Sequence, residues 1–147
     1  MLKHKSRTSI ILVFLQLIFI AILALTGKIF IFNGIYITLI FIAAFPSLWA
    51  IILMKDKLRI TPEPARDSKL ITSGPYKYIR HPMYATVISL TLVWIVFDFS
   101  FLRLAVYILL AINMVVKMFY EENILENTFE GYKEYMKKSK RIIPYLY

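Results

Sequence analysis

Apolar and polar positions in this chain are sorted into long blocks rather than mixed at a helical or strand period. Thr8 to Gly27 is a run of twenty residues without a charge, and a helix rising ~1.5 Å per residue crosses the ~30 Å hydrocarbon layer in about that length. The run is long for the apolar core of a secretory signal and has no small-x-small cleavage site, so it reads as a mature helix. Ile29 to Met54 is a second charge-free run; Asn33-Gly34 near its start predicts a turn, which places a second span at about 35–54. Pro46 within it predicts a kink that lipid-embedded helices tolerate when neighbours satisfy the freed backbone. Pro82–Phe97 and Leu104–Val116 are the cores of two more runs, with only Asp98 to Arg103 between them. Extended through Ser100 and Tyr120 they become spans at about 82–100 and 101–120, joined as an antiparallel hairpin. Asp98 and Arg103 then fall at one interface, where they are expected to pair. The pattern predicts an all-α integral membrane protein, one domain over 1–147, with four transmembrane helices near 8–27, 35–54, 82–100 and 101–120.

Composition agrees with that reading and charge orients it. Of the 147 residues, 59% are hydrophobic and none is cysteine, which excludes a disordered chain, a disulfide scaffold and a zinc ribbon. The 18 Lys and Arg outnumber the 9 Asp and Glu, but they flank spans instead of covering a soluble face, so nucleic-acid binding is not expected. Lys3, Lys5 and Arg7 precede the first span. Seven cations, from Lys55 to Arg80, lie between the second and third, and six, from Lys117 to Arg141, follow the fourth; only Lys28 and Arg103 lie on the other side. The positive-inside rule then places both termini and the long loop in the cytoplasm.

Two segments remain outside the spans: the loop 55–81 and the tail 121–147. The loop carries Pro62, Pro64, Pro75 and Pro82 with a Ser73-Gly74-Pro75 turn, which forbids a continuous helix. Lys55, Lys57 and Arg59 in it read as topology signals that touch anionic lipid. In the tail, Ile124, Leu125, Phe129, Tyr132 and Met136 recur at helical spacing with Glu126, Glu130, Lys133 and Lys137 between them. An amphipathic helix from Glu121 to Met136, lying on the membrane or over the loop, is the expectation.

Candidate chemistry concentrates where loop and tail meet the spans. Gly74-Pro75-Tyr76-Lys77-Tyr78-Ile79-Arg80-His81-Pro82-Met83-Tyr84 packs a turn, three tyrosines, a histidine and two cations before a helix that opens at a proline. Such a helix start presents backbone N–H groups to an anionic ligand. Glu121-Glu122 stand at the inner end of the fourth span, where two carboxylates oppose the helix dipole and each other. The hairpin returns Arg80-His81 and Glu121-Glu122 to one level, so a site with a cationic wall, an anionic wall and aromatic rings is predicted. Plainer readings stand beside it: His81 caps the helix, Tyr84 belongs to an aromatic belt, Lys117 pairs with Glu121 one turn away, and Glu122 is solvated.

Gly74-Pro75-Tyr76, Arg80-His81-Pro82 and Tyr84, followed one hairpin later by Glu121-Glu122 with Leu125, Phe129, Tyr132 and Tyr135, resemble the isoprenylcysteine carboxyl methyltransferase and phospholipid methyltransferase family. The resemblance covers about Thr61 to Pro144. It implies an integral membrane methyltransferase that uses S-adenosylmethionine without a Rossmann domain, and no Rossmann glycine fingerprint occurs in the chain. By this resemblance the loop and the C-terminal amphipathic helix form the cofactor pocket. Lys69, Leu70, Ile71 and Tyr76 are its loop-side contacts, His81, Pro82, Met83 and Tyr84 those at the helix start, and Glu121 the acidic contact, so that Glu121→Gln should matter far more than Glu122→Gln.

The chemistry of the cofactor suits those residue types. Its carboxylate suits Arg80, His81 and the helix start, its ammonium or a ribose hydroxyl suits Glu121, and its adenine or sulfonium suits Tyr76 and Tyr84. Methyl transfer is an in-line displacement that needs a close, desolvated acceptor and no metal, which leaves Arg80 and Lys117 as positioning candidates. Lys117 stands where the isoprenylcysteine branch has an arginine on the substrate carboxylate; lysine keeps the charge and loses the bidentate fork. Thr86 stands where the family often has glycine. The expected acceptor is a membrane lipid or lipid-like molecule, either a prenylcysteine-like carboxylate or a lipid head group. The competing reading is a non-catalytic membrane protein, such as a transporter subunit or scaffold, that retains the fold.

Overall fold

The computed structural model describes residues 7–54 and 70–144. Five helices follow in chain order: α1 (Arg7–Leu25), α2 (Gly34–Met54), α3 (Pro82–Phe97), α4 (Phe101–Thr128) and α5 (Tyr132–Lys138), with a short 3₁₀ turn (Gly74–Lys77) before α3. Among the described residues, α1, α2 over Gly34–Leu53 and α4 are long and apolar enough to cross a bilayer; α3 is apolar but shorter.

Local chemistry accounts for the boundaries. The Asn33 side-chain oxygen accepts from the backbone N–H of Ile35 at 2.9 Å and of Tyr36 at 3.1 Å, so the expected Asn33-Gly34 turn is the start of α2. Pro82 occupies the first turn of α3, where a missing N–H costs nothing. The third apolar run ends its helix at Phe97, short of the expected Ser100, because Ser100 is extended and caps α4, its hydroxyl accepting from Arg103 N–H at 3.2 Å. At 28 residues α4 is about 42 Å long, so it outruns the ~30 Å hydrocarbon layer and carries Glu121 to Thr128 beyond it.

The expected amphipathic helix from Glu121 to Met136 is not one element. Its first half continues α4 without a break and its second half is α5. Between them α4 stops where Phe129 turns extended, and the chain enters α5 through Gly131, whose φ of +86° is left-handed. Glycine adopts that conformation without a Cβ clash, which is why the apolar spacing did not carry one helix through.

α2 packs on α3, α3 on α4, and α4 on α1, which also touches α3. Leu23, Ile95, Val106, Leu110 and Met114 are buried where α1, α3 and α4 meet. Much of the remaining apolar surface of α1 and α2 is exposed, as lipid-facing helices require. Polar contacts also cross the α1–α4 seam: Asn113 donates to Leu12 O at 3.1 Å, and Lys117 donates to the Gln16 side chain at 2.7 Å. Interhelical bonds of this kind hold helices together in lipid, where apolar association has no driving force.

Asp98 and Arg103 pair as expected, with Arg103 Nη1 2.9 Å from Asp98 Oδ2 and Arg103 only 1% exposed. The same carboxylate oxygen accepts from Lys28 N–H at 2.7 Å, tying the link after α1 to the α3–α4 corner. Gly27 makes this approach possible, since a Cβ there would meet the Arg103 guanidinium and stand 2.6 Å from Asp98 Oδ2. Gly27→Ala is expected to lower stability by about 1–3 kcal/mol through overpacking, read as an earlier thermal transition in detergent; an unchanged transition would show that this corner yields freely.

Candidate active site

The site is assembled from three stretches: residues 74–84, the end of α4, and the chain after α5. Gly74, at φ +60°, opens the 3₁₀ turn against α2; a Cβ there would stand 3.0 Å from Leu53 and 3.4 Å from the Trp49 indole nitrogen. Glycine is therefore needed both for the backbone angle and for the close approach. Beyond the turn, Tyr78 to His81 run alongside Lys140 and Arg141. Arg80 N–H donates to Lys140 O at 2.7 Å, Lys140 N–H to Tyr78 O at 3.0 Å, and His81 N–H to Arg141 O at 2.9 Å. The Tyr135 hydroxyl adds a bond to Tyr76 O at 2.7 Å. Burial raises the phenols of Tyr76 and Tyr132 well above their ordinary range and pushes Tyr135 up to about 12, so all three are neutral near pH 7.

Glu122 is the hub of this junction. It is 4% exposed. Oε1 lies 2.8 Å from Arg80 Nε and 3.2 Å from His81 Nε2, and Oε2 lies 3.0 Å from both Nε and Nη2 of Arg141. The solvated reading of Glu122 is corrected: two guanidinium groups and an imidazole surround a buried carboxylate, and burial on those terms requires pairing of this kind. Arg80 also donates to the carbonyls of Met136 and Ser139. Its guanidinium therefore joins α4 to the chain around α5 rather than standing open to a ligand carboxylate. Arg141 further lies over the Phe119 ring, 4.3 Å from its centroid.

Glu121 has different surroundings. Its Oε2 accepts from the Tyr84 hydroxyl at 2.6 Å and lies 3.7 Å from His81 Nδ1. The His81 ring stacks on Tyr84 with centroids 5.3 Å apart and planes 7° from parallel. His81 occupies the cap position of α3 but makes no side-chain capping bond; its imidazole lies between the two glutamates instead. Lys117, 2% exposed, does not close an ion pair with Glu121: its ammonium donates to Gln16 and lies 5.1 Å from the Tyr84 ring centroid.

The fold thus brings Arg80, His81, Tyr84, Lys117 and Glu121 together, with Pro82 buried and Met83 half-buried in the first turn of α3. Tyr76 is tied to α5 through its backbone oxygen. Leu70 and Ile71 are half-buried in the approach to the 3₁₀ turn, and Lys69 lies outside the described residues, as do Lys55, Lys57 and Arg59. Thr86 is buried with its hydroxyl unpartnered among the described residues. Gln16, Ser139 and Arg141 were not singled out by sequence reasoning. Ser139 and Arg141 had no signal beyond a basic tail, and Gln16 was visible only as the one strongly polar side chain in the first apolar run.

The profile of the phospholipid methyltransferase family matches residues 31–131. The chain belongs to the phospholipid methyltransferase family. No curated protein and no solved structure matches it. In this phospholipid methyltransferase family member the matched stretch takes in α2, the 3₁₀ turn, α3 and α4 and ends at the Gly131 break, so Arg80, His81, Tyr84, Lys117 and both glutamates lie within it. Gln16 on α1 and Arg141 after α5 lie outside it, yet each touches a residue inside.

Proposed function

We propose that the chain is a four-span, single-domain methyltransferase that moves a methyl group from S-adenosylmethionine to an apolar or amphiphilic acceptor entering from the bilayer. Family membership supports methyl transfer. The observation that carries the assignment to this site is the Glu121–Tyr84–His81 cluster at the start of α3, a carboxylate and two rings side by side. The residues fit the cofactor by their chemistry. Glu121 suits its ammonium or a ribose hydroxyl, the rings of Tyr84 and Tyr76 suit adenine or sulfonium, and the first turn of α3 at Pro82 and Met83 suits a carboxylate. When bound, the cofactor supplies an electrophilic methyl group on a positive sulfur. The chain's part is to hold both partners in line and exclude water, with Lys117 on the acceptor side facing an anionic head group or carboxylate.

The proposed orientation puts this cluster and both termini in the cytoplasm, supported by sixteen basic residues on that side against two on the other. α3 completes the four spans: at 16 residues it is about 24 Å long, with charged clusters at both of its ends.

The test is ligand-induced stabilisation of the purified chain in detergent and in lipid. S-adenosylmethionine is expected to raise the melting temperature of the parent by mass action. Tyr84→Phe keeps the ring stacked on His81 and deletes only the hydroxyl that serves Glu121; it should melt close to the parent and show a smaller shift. No shift in the parent in either medium would leave the non-catalytic reading in its place.

A further inference from the structure

Lysine and glutamate four residues apart on a helix ordinarily meet. Lys117 and Glu121 have that spacing within α4, Lys117 buried and Glu121 part-exposed. The ammonium nevertheless goes across the seam to the Gln16 carboxamide on α1, 2.7 Å away, while Glu121 keeps the Tyr84 hydroxyl at 2.6 Å. Two physical factors make the diversion possible. Lysine before glutamate is the weaker order for such a pair, since it runs against the helix dipole. Tyr84 supplies a second attraction, its ring face 5.1 Å from the ammonium.

We infer that Gln16 is a positioning residue: by holding the Lys117 ammonium on α1 it keeps Lys117 from closing an ion pair on Glu121, and leaves that carboxylate, bonded to Tyr84 and 3.7 Å from His81 Nδ1, for a cationic ligand group. This rests on the proposal that Glu121 receives the cofactor ammonium or a group like it. It gives α1, which lies outside the family match, a role in the site beyond anchoring. Among the described residues, the nearby charge that a buried lysine deprived of Gln16 can turn to is Glu121.

The experiment compares Gln16→Leu, Lys117→Met and the Q16L/K117M pair in the full chain, in lipid nanodiscs, by calorimetric titration with S-adenosylmethionine. Q16L is expected to weaken affinity about tenfold, the worth of one charge-assisted contact at the carboxylate. The double variant should return to the affinity of K117M alone, a rescue that mere loss of α1–α4 packing cannot produce. In parallel, the coupling between Lys117 and Glu121 in thermal unfolding, from K117M and E121Q singly and together, should be larger in the Q16L background than in the parent. An unchanged affinity in Q16L, a loss that K117M fails to restore, or a coupling that does not grow overturns the inference. Should the parent itself bind no S-adenosylmethionine, the functional proposal falls and the coupling alone decides whether Gln16 diverts Lys117.

Discussion

Glu122→Gln is expected to lower the stability of the chain by about 3–5 kcal/mol, the cost of breaking a buried ion pair from one side. Glutamine matches glutamate in shape and keeps one oxygen as an acceptor, so the loss is of charge and not of volume. Arg80 and Arg141 would then face each other across a neutral amide, with Arg80 still fastened to the carbonyls of Met136 and Ser139. Because Glu122 joins α4 to both the run before α3 and the chain after α5, the defect should appear first as release of the C-terminal segment. Limited proteolysis after Lys137 or Lys138, both exposed, would detect it at temperatures where the spans remain intact, and denaturant unfolding would give the magnitude. A change within the ~1 kcal/mol typical of an exposed pair would show that water replaces the carboxylate and that the hub is not a closed cluster.

Glu121→Gln should do the reverse. Its carboxylate is part-exposed and bonded to Tyr84, whose hydroxyl can donate equally well to an amide oxygen, so stability should move by less than about 1 kcal/mol. Affinity for S-adenosylmethionine should fall by about 1.5–3 kcal/mol, which is roughly ten- to a hundredfold. Calorimetry beside thermal melts separates the two glutamates: one variant loses binding and keeps its fold, the other loses its fold and binding with it. Equal affinity in parent and Glu121→Gln would remove Glu121 from the ligand-binding role and leave the pair as a structural joint.

The two neighbouring glutamates mark the boundary between what reads from the chain and what does not. From the sequence they stand at the end of the fourth span, against the helix dipole, whereas α4 continues to Thr128 and carries them inside it. Which of them is buried depends on rotation of α4 against α3 and on a segment about twenty residues further on. A helix turns ~100° per residue, so adjacent side chains leave on different faces, and only the packing of α3 and the Ser139–Arg141 segment picks the enclosed one. The plainer reading, a Lys117–Glu121 pair, yields for the same reason: the spacing within one helix is right, but the competing acceptor sits on another helix, one hundred and one positions away in sequence.

The long apolar helices α1, α2 and α4 were legible because lipid imposes a requirement on each one separately: about twenty apolar residues with internally satisfied backbone, whatever the neighbours are; α3, at 16 residues, is shorter than that. The Asn33-Gly34 start of α2, the Pro82 start of α3, and the Asp98–Arg103 pairing across a short hairpin likewise depend on residues close in sequence. The break at Gly131 obeys an equally local rule, and it was the regular apolar spacing around it that hid the glycine. No local rule reaches the Glu122 hub, the run of Tyr78–His81 alongside Lys140-Arg141, or the Gln16–Lys117 contact. Each joins elements whose relative rotation and depth are set by packing of the whole bundle, and the electrostatics of a buried group are fixed by whichever charges that packing brings within a few ångströms.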